Sequence, residues 1–392
     1  MKIQGVEPGG YAFSRSPIIV RETWPPEAFD KNGGSFWVEL DGLKIYEGRF
    51  FPPLEIDLSE VMDAYVSFFP EPPAYSTDPI IEIEDAGDFS CRRCYIGFDY
   101  DRLESETDFI VIPGGISKQN FKQLISTGQN PFTTRFLNPR NNFFFTTRTA
   151  SWRIVLKETE LYPLYFLVKQ QMEQVDITET VTRTTLTFDR LEPGVYALDI
   201  NALRRKFMDE SRVIPNVLDV YMAGVFSCRI VVEKSDISKE RYRLKFRNSL
   251  GVFEIIELTG ELTISPDYSE AEEASFKRYD SFTGGFYTDR ERVERKQSVT
   301  VESGVKRPDE VRFLMDMIGS EEVYLLDLTP NPLKVIPSVE EFTYKPRPDT
   351  PEKFTLKLEI ADSETNIMQE IIDGSEGRKP RVFSKQFSKQ FN

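Results

Sequence analysis

Apolar and polar residues alternate with a period of two over several short stretches of the chain, which is the pattern of half-buried strands. Phe36-Trp37-Val38-Glu39-Leu40, a turn at Asp41-Gly42 and Leu43-Lys44-Ile45-Tyr46 predict a hairpin on an Asp-Gly turn. Tyr242 to Arg247 alternates, and Val252 to Leu258 follows after the turn residues Asn248-Ser249-Leu250-Gly251. Val323 to Leu326 and Phe354 to Ile360 read as strands, and Phe143-Phe144-Phe145-Thr146-Thr147 as a compact buried one. The period changes to the helical one at three places. Leu58, Val61 and Tyr65 form one apolar face behind Asp57; Ile200, Leu203 and Phe207 form another behind Asp199. Each aspartate is placed to cap a short helix through its carboxylate. The third helix starts at Pro308, carries Asp309 and Glu310 in its first turn and stops at Gly319. Its apolar face is read as Val311, Leu314, Met315 and Ile318.

The two capped helices belong to a larger repetition. Ala86-Gly87-Asp88-Phe89-Ser90-Cys91-Arg92 recurs as Ala223-Gly224-Val225-Phe226-Ser227-Cys228-Arg229, different at one position of the seven. Val20-Arg21-Glu22-Thr23 pairs with Leu156-Lys157-Glu158-Thr159, then Pro26 with Pro163 and Phe29 with Phe166. Ile56-Asp57-Leu58 pairs with Leu198-Asp199-Ile200. The spacing stays at roughly 136 to 142 positions, a drift that loop insertions accommodate. The predicted fold is therefore mainly β with α+β elements. Two duplicated β-rich modules, 1–145 and 146–265, each carry a short helix. A smaller C-terminal α+β domain at 266–375 and an extended tail at 376–392 complete the chain. Asp267 to Glu273, leading into Phe276 to Phe286 with its Gly284-Gly285 pair, reads as a linker or long loop.

Composition narrows the chemistry. Of 392 residues 40% are apolar and 13% aromatic, with 31 Phe against 3 Trp, as in a globular β-rich protein. The net charge of −15 argues against nucleic acid as the main partner. The short basic runs Arg204-Arg205-Lys206 and Arg378-Lys379-Pro380-Arg381 read as solvated surface. The first ten residues hold no apolar leader and no stretch is long enough to span a membrane, so the expectation is synthesis in the cytoplasm without membrane insertion.

The chain contains no histidine. That removes Ser-His-Asp and Cys-His nucleophilic mechanisms, HExxH zinc hydrolysis and histidine proton shuttles. A carboxylate pair of the glycosidase kind remains chemically open, yet no motif singles one out. Cys91-Arg92-Arg93-Cys94 is a lone CxxC with neither two further ligands nor a βαβ setting, so it reads as strand cysteines beside solvent-facing arginines. No catalytic residue, cofactor or metal is expected, and the chain is read as a non-enzyme. Trp24, Trp37 and Trp152 are candidates for stacking on sugars, with core packing the commoner use of tryptophan.

Phe383, Phe387 and Phe391 recur every four positions in a tail with no core of its own, and are candidate assembly contacts.

Several strings resemble proteins of phages and prophages of gut Bacteroidales. They are Gly114-Gly115-Ile116-Ser117-Lys118, Leu137-Asn138 with Asn142-Phe143-Phe144-Phe145-Thr146-Thr147-Arg148-Thr149, Glu158-Thr159-Glu160-Leu161 with Pro163-Leu164-Tyr165-Phe166, Tyr242 to Gly260, and the terminal Phe-x-x-x-Phe-x-x-x-Phe-Asn. The resemblance implies a structural component of a virion, a tail, baseplate or collar protein forming a homo-oligomeric ring. It also implies other copies and neighbouring tail proteins as partners, and carries over no catalytic residue. The alternative is a carbohydrate-binding or receptor-binding β-sandwich adhesin with a host surface glycan as partner.

Overall fold

The computed structural model describes residues 2–22, 33–51, 53–73, 76–83, 90–100, 103–129, 132, 144–148, 152–169, 174–222, 224–235, 240–270, 275–290, 293–339, 353–361 and 364–365. The protein is mostly β, in several sheets, as the periodicity predicts, with four helices among these residues where the periodicity gives three. It divides into two compact units, Met1–Lys234 with Arg247–Glu254, and Ser235–Phe246 with Ile255–Asn392.

Unit 1 holds two copies of one topology. The first runs β1 (Lys2–Ile3), β2 (Tyr11–Phe13), β3 (Ile19–Glu22), β4 (Gly34–Leu40), β5 (Leu43–Phe50), β6 (Leu54–Asp57), α1 (Ser59–Asp63), β7 (Ile80–Glu82), β8 (Arg92–Tyr100), β9 (Leu103–Ile112) and α2 (Lys118–Ser126). The second runs β10 (Arg153–Lys157), β11 (Leu164–Val168), β12 (Gln174–Glu179), β13 (Thr185–Asp189), β14 (Gly194–Leu198), α3 (Ile200–Ser211), β15 (Val217–Met222) and β16 (Val225–Glu233). The first copy's large sheet has the order β2-β9-β8-β4-β5, and the second copy's has β10-β16-β15-β12-β13. In each, the first pair is parallel and the rest antiparallel. The small sheets are β1-β3-β6 and β11-β14-β7, again with one antiparallel pair in common, β3 with β6 and β11 with β14. Each copy is thus a sandwich of five strands against three, with a helix after the last strand of the small sheet. Two sheets packed face to face in this way make a β-sandwich.

This topology corrects the register of the sequence repeat. Ile56-Asp57-Leu58 and Leu198-Asp199-Ile200 are true counterparts, each linking the small sheet to its helix. Cys91 and Arg92 instead lead into β8, whereas Phe226 to Arg229 lie in β16, the counterpart of β9. Likewise Val20 to Glu22 lie in β3, and Leu156 and Lys157 in β10, the counterpart of β2. A short β-like string fits the start of any antiparallel strand, because alternation records facing and not identity.

The helices show similar local adjustments. Asp199 caps α3, its carboxylate accepting from the amides of Asn201 at 2.8 Å and Ala202 at 3.0 Å. Asp57 accepts from Ser59 N at 3.0 Å but also from Ile18 N at 3.1 Å, tying α1 to the segment before β3. Helix α1 ends at Asp63, so Tyr65 falls past it and is exposed; Leu58 and Met62 fill the core. Helix α2, capped by Ser117 on Asn120 N, was not legible as a helix, since it buries only Phe121.

Each sandwich has its own core. Phe36, Val38, Leu40, Cys94, Ile96, Phe98, Phe109 and Val111 meet Val20, Leu58 and Met62 in the first. Ile154, Val175, Ile177, Val220, Cys228 and Ile230 meet Phe166, Leu198, Leu203 and Phe207 in the second. A third cluster joins the copies: Tyr11, Phe13 and Ile112 with Tyr165, Leu167, Val195 and Ala197, closed by Phe145, Leu250 and Val252. Phe144 and Phe145 are both buried, as read, but they enter different cores.

The 247–254 segment is built into unit 1 by buried polar chemistry. Asn248 donates through Nδ2 to Phe145 O at 3.0 Å and to Glu254 Oε2 at 2.7 Å. The Thr146 hydroxyl donates to Glu254 Oε1 at 2.6 Å, and Arg148 lies 3.6 Å from the same carboxylate and 2.8 Å from Glu160. Gly114, at φ +99, approaches Leu250 so closely that a Cβ there would lie 2.6 Å from its backbone, so only glycine fits.

Unit 2 contains β17 (Tyr242–Arg247) and β18 (Phe253–Leu258) apart from the ends that belong to 247–254. It continues with β19 (Leu262–Glu270), β20 (Ser275–Asp280), β21 (Gly285–Arg290), β22 (Val293–Glu302), α4 (Pro308–Ile318), β23 (Val323–Leu325), β24 (Leu333–Ser338), β25 (Thr355–Ile360) and β26 (Glu364–Thr365). The main sheet has the order β18-β17-β23-β24-β25-β22-β19, with β26 also on β22. Helix α4 lies as predicted, with Glu310 accepting from Arg307 N at 2.9 Å. Its buried face is rotated: Val311, Phe313, Leu314 and Met317 meet the sheet, while Met315 is exposed. Within the stretch read as linker or long loop, Asp267 to Glu270 belong to β19, paired with β22, and Phe276 to Phe286 span the β20–β21 hairpin; 271–274 lie outside the described residues.

Candidate functional site

Three places in the structure bear on candidate chemistry, two of which the sequence points to. At the first, the CxxC, Cys94 is buried in the first core and Cys91 is half-buried. Burial pushes the Cys94 and Cys228 thiols up, so neither is a ready thiolate. Arg92 is not solvent-facing as expected: it is buried, donating to Asp41 Oδ2 at 2.8 Å and Tyr65 O at 3.0 Å. Among the described residues no group of acidic, cysteine or histidine side chains is placed to hold a metal.

The second place is the outer face of the β10-β16-β15-β12-β13 sheet. Trp152 stands just before β10 and is 52% exposed. Its ring centroid lies 6.2 Å from that of Phe226, which lies 5.7 Å from that of Tyr221. The Arg229 guanidinium sits 5.9 Å over the Trp152 ring and is held in a two-pronged pair with Asp219, at 2.6 and 2.8 Å. Beside Tyr221 in register lies Asp176, which accepts from Gln174 Nε2 at 2.6 Å and from Thr187 Oγ1 at 2.7 Å.

A β-bulge makes this face. Register shifts between Val220 and Tyr221, so Cys228 opposes Val220 but Phe226 opposes Tyr221. In an unbroken strand Phe226 would share the inward face of Cys228; the extra residue turns it outward. The matching β8–β9 pair of the first copy has no such shift. On that copy's outer face Trp37 lies against Gly97, where a Cβ would fall 2.2 Å from its ring, and Lys44 sits 5.9 Å over it. Trp24 lies outside the described residues.

The third place is the β20–β21 hairpin, which among the described residues pairs with no other strand. The Asp280 carboxylate accepts from Phe282 N at 2.9 Å and Thr283 Oγ1 at 2.7 Å, bonds that hold it below the usual carboxylate range. Phe282 is 96% exposed and Phe286 71%, with Tyr279 and Tyr287 also exposed and the Tyr279 and Phe286 rings 5.2 Å apart. The tail residues Phe383, Phe387 and Phe391 lie outside the described residues.

Sequence reading named Trp152 but missed Phe226, Tyr221 and Arg229 as its companions, because the bulge that gathers them leaves no mark in the alternation. The hairpin tip is visible in the sequence as aromatics around a Gly pair, a pattern that reads as a linker or long loop. Arg204 and Arg205 line a shallow hollow beside α3 with Asn201, Met208, Asp209 and Ile214; Arg204 is tied to Pro215 O and Asn216. Among the described residues no helix is long and apolar enough to cross a membrane.

No family model matches the chain, and no curated protein matches it. Among solved structures, it is similar to SGBP-B of the mixed-linkage glucan utilization locus of Bacteroides ovatus, in complex with a mixed-linkage heptasaccharide. The identity is 9% and the TM-score 0.15, over 76% of this chain and 60% of that one, so the chain spans less than two thirds of that protein's length. It is also similar to extracellular domains 3–5 of Drosophila OTK, at 10% identity and TM-score 0.18, over 76% of this chain and 92% of that one. Neither overlay is deep enough for a shared fold to follow from it.

Proposed function

We propose that this protein acts by assembly and binding and not by catalysis, as a structural subunit of a virion in which it contacts other copies of itself and neighbouring tail or baseplate proteins. The observation that carries this reading is the β20–β21 hairpin. A two-stranded ribbon is marginally stable alone in water, and four exposed aromatics at one tip are a surface that a partner covers. The tandem sandwiches of unit 1 supply a repeated surface of their own, which suits a symmetric ring. The strings that resemble phage and prophage proteins support a virion as the kind of particle.

The test is the mass of the purified protein by light scattering, with Phe282→Ser/Phe286→Ser as the variant. A homo-oligomer that falls to monomer in the variant supports the reading. A wild-type monomer at micromolar concentration, or an oligomer untouched by the variant, counts against it. A second reading, a carbohydrate-binding or receptor-binding sandwich protein, is favoured by the exposed Trp152 face. The two are compatible in one particle that assembles through one surface and holds a host glycan with another.

A further inference from the structure

We infer that the outer face of β10-β16-β15-β12-β13 is a binding site for uncharged polysaccharide, with Trp152 and Phe226 as the stacking platform and Arg229, Asp219, Asp176 and Gln174 as the hydroxyl-binding groups. The inference rests on the sandwich-binding reading and gives that reading one site and one ligand class.

Three features select such a ligand. First, large aromatic rings are open to solvent on a sheet face: Trp152 is 52% exposed and Phe226 37%, and they adjoin each other and Tyr221. An aromatic ring buries the apolar C–H face of a pyranose, while leaving the equatorial hydroxyls free to bond sideways. Second, polar groups stand beside the rings in fixed orientations. The guanidinium of Arg229 is locked by Asp219, and the carboxylate of Asp176 by Gln174 and Thr187. Groups already held in place lose little entropy when they bond a ligand.

Third, the charges on this face are matched in place. Arg229 pairs with Asp219, and neighbouring Arg153 stands 3.9 Å from Glu233. Asp176 has two neutral donors, Gln174 and Thr187, and among the described residues no cation within salt-bridge distance. The face thus presents no surplus positive charge for an acidic polymer, and on a chain of net charge −15 an anionic one is repelled. A neutral, hydroxyl-rich chain meets all three conditions.

The bulge between Val220 and Tyr221 gives the site to one copy only. It is absent from the β8–β9 pair, and Trp37 there is engaged by Gly97 and Lys44. The second copy is therefore expected to bind alone.

The test is native affinity electrophoresis of the full chain in gels containing β-glucan, xylan or mannan, with polygalacturonate as the acidic control. Isothermal titration then follows on whichever polysaccharide retards it. At least one neutral polysaccharide is expected to retard the protein and polygalacturonate not to. Trp152→Ala and Phe226→Ala should each weaken binding tenfold or more while the far-UV circular dichroism stays that of the wild-type fold. Trp37→Ala should leave it within twofold. Binding that survives both second-copy variants overturns this site while leaving the sandwich-binding reading standing. Retardation by polygalacturonate alone overturns the ligand class. No retardation by any of them overturns the site and the binding reading together, and leaves the assembly reading to its own mass measurement.

Discussion

The two sandwiches of unit 1 share the strand order of their five-stranded sheets but have opposite fates for their small sheets. In the first copy, β3 and β6 alternate: Val20 and Glu22 are buried, while Arg21 and Glu55 face water and pair across the strands at 2.8 Å. In the second, every residue of β11, Leu164 to Val168, is buried. Leu164, Phe166 and Val168 enter the sandwich core, and Tyr165 and Leu167 the cluster between the copies. A sheet covered on both faces reads as a continuous apolar run, and one covered on a single face alternates. One topology thus yields a free, water-facing domain surface in one copy and a scaffold plane in the other.

The largest test of that contrast is truncation of the plane. Leu167→Ala, on the face toward the other copy, is expected to cost about 2–5 kcal/mol in urea denaturation, against about 0.5 kcal/mol or less for Arg21→Ala on the open sheet. Equal costs would erase the distinction. Next is the polar lock beside the plane. Glu254→Ala removes the acceptor of Thr146 and Asn248 and the partner of Arg148, and is expected to cost about 3 kcal/mol, because donors and a cation are left buried without it. Proteolysis within 247–254 should rise in parallel; protection equal to wild type would show the segment is held otherwise.

A smaller effect separates the outer faces. Gly97→Ala forces the Trp37 ring to move and is expected to cost about 1–3 kcal/mol and change tryptophan emission. An unaltered spectrum would show that Trp37 does not lie on the sheet.

The smallest concerns the hairpin loops. The first copy turns β4 into β5 on Asp41 and Gly42, both at positive φ. The second turns β12 into β13 around the Glu179 carboxylate. Burial works to raise its pKa, but hydrogen bonds from the Thr182 hydroxyl and the backbone amides of Val181, Thr182 and Arg183 outweigh it and hold it below the usual range. A depressed carboxylate stabilises the fold above its unfolded pKa of about 4.3, and that stabilisation is lost as pH falls through the lower folded value. Glu179→Gln should therefore melt about 2 °C below wild type at neutral pH, with the gap closing below about pH 4. A gap independent of pH would assign the effect to shape and not to charge.

Much of this architecture is written in the chain itself. The Asp41-Gly42 hairpin, the α4 span with its Pro308 start and Gly319 stop, the shared step from sheet to helix at Asp57 and Asp199, and the Asp199 cap rest on local backbone chemistry, and local chemistry is readable in order; α1 instead takes Leu58 as its N-cap, without a side-chain cap bond. The absence of histidine likewise sets the limits of the chemistry before any folding. Tertiary structure decided the rest. It settled which strands of the two copies correspond, because alternation tells inside from outside and not one strand from another. It decided that β7 joins the second copy's small sheet, that α4 turns Phe313 inward and Met315 outward, and that a bulge brings Phe226 beside Tyr221 and Trp152. Each of these depends on what another part of the chain covers, and coverage is a property of the packed molecule.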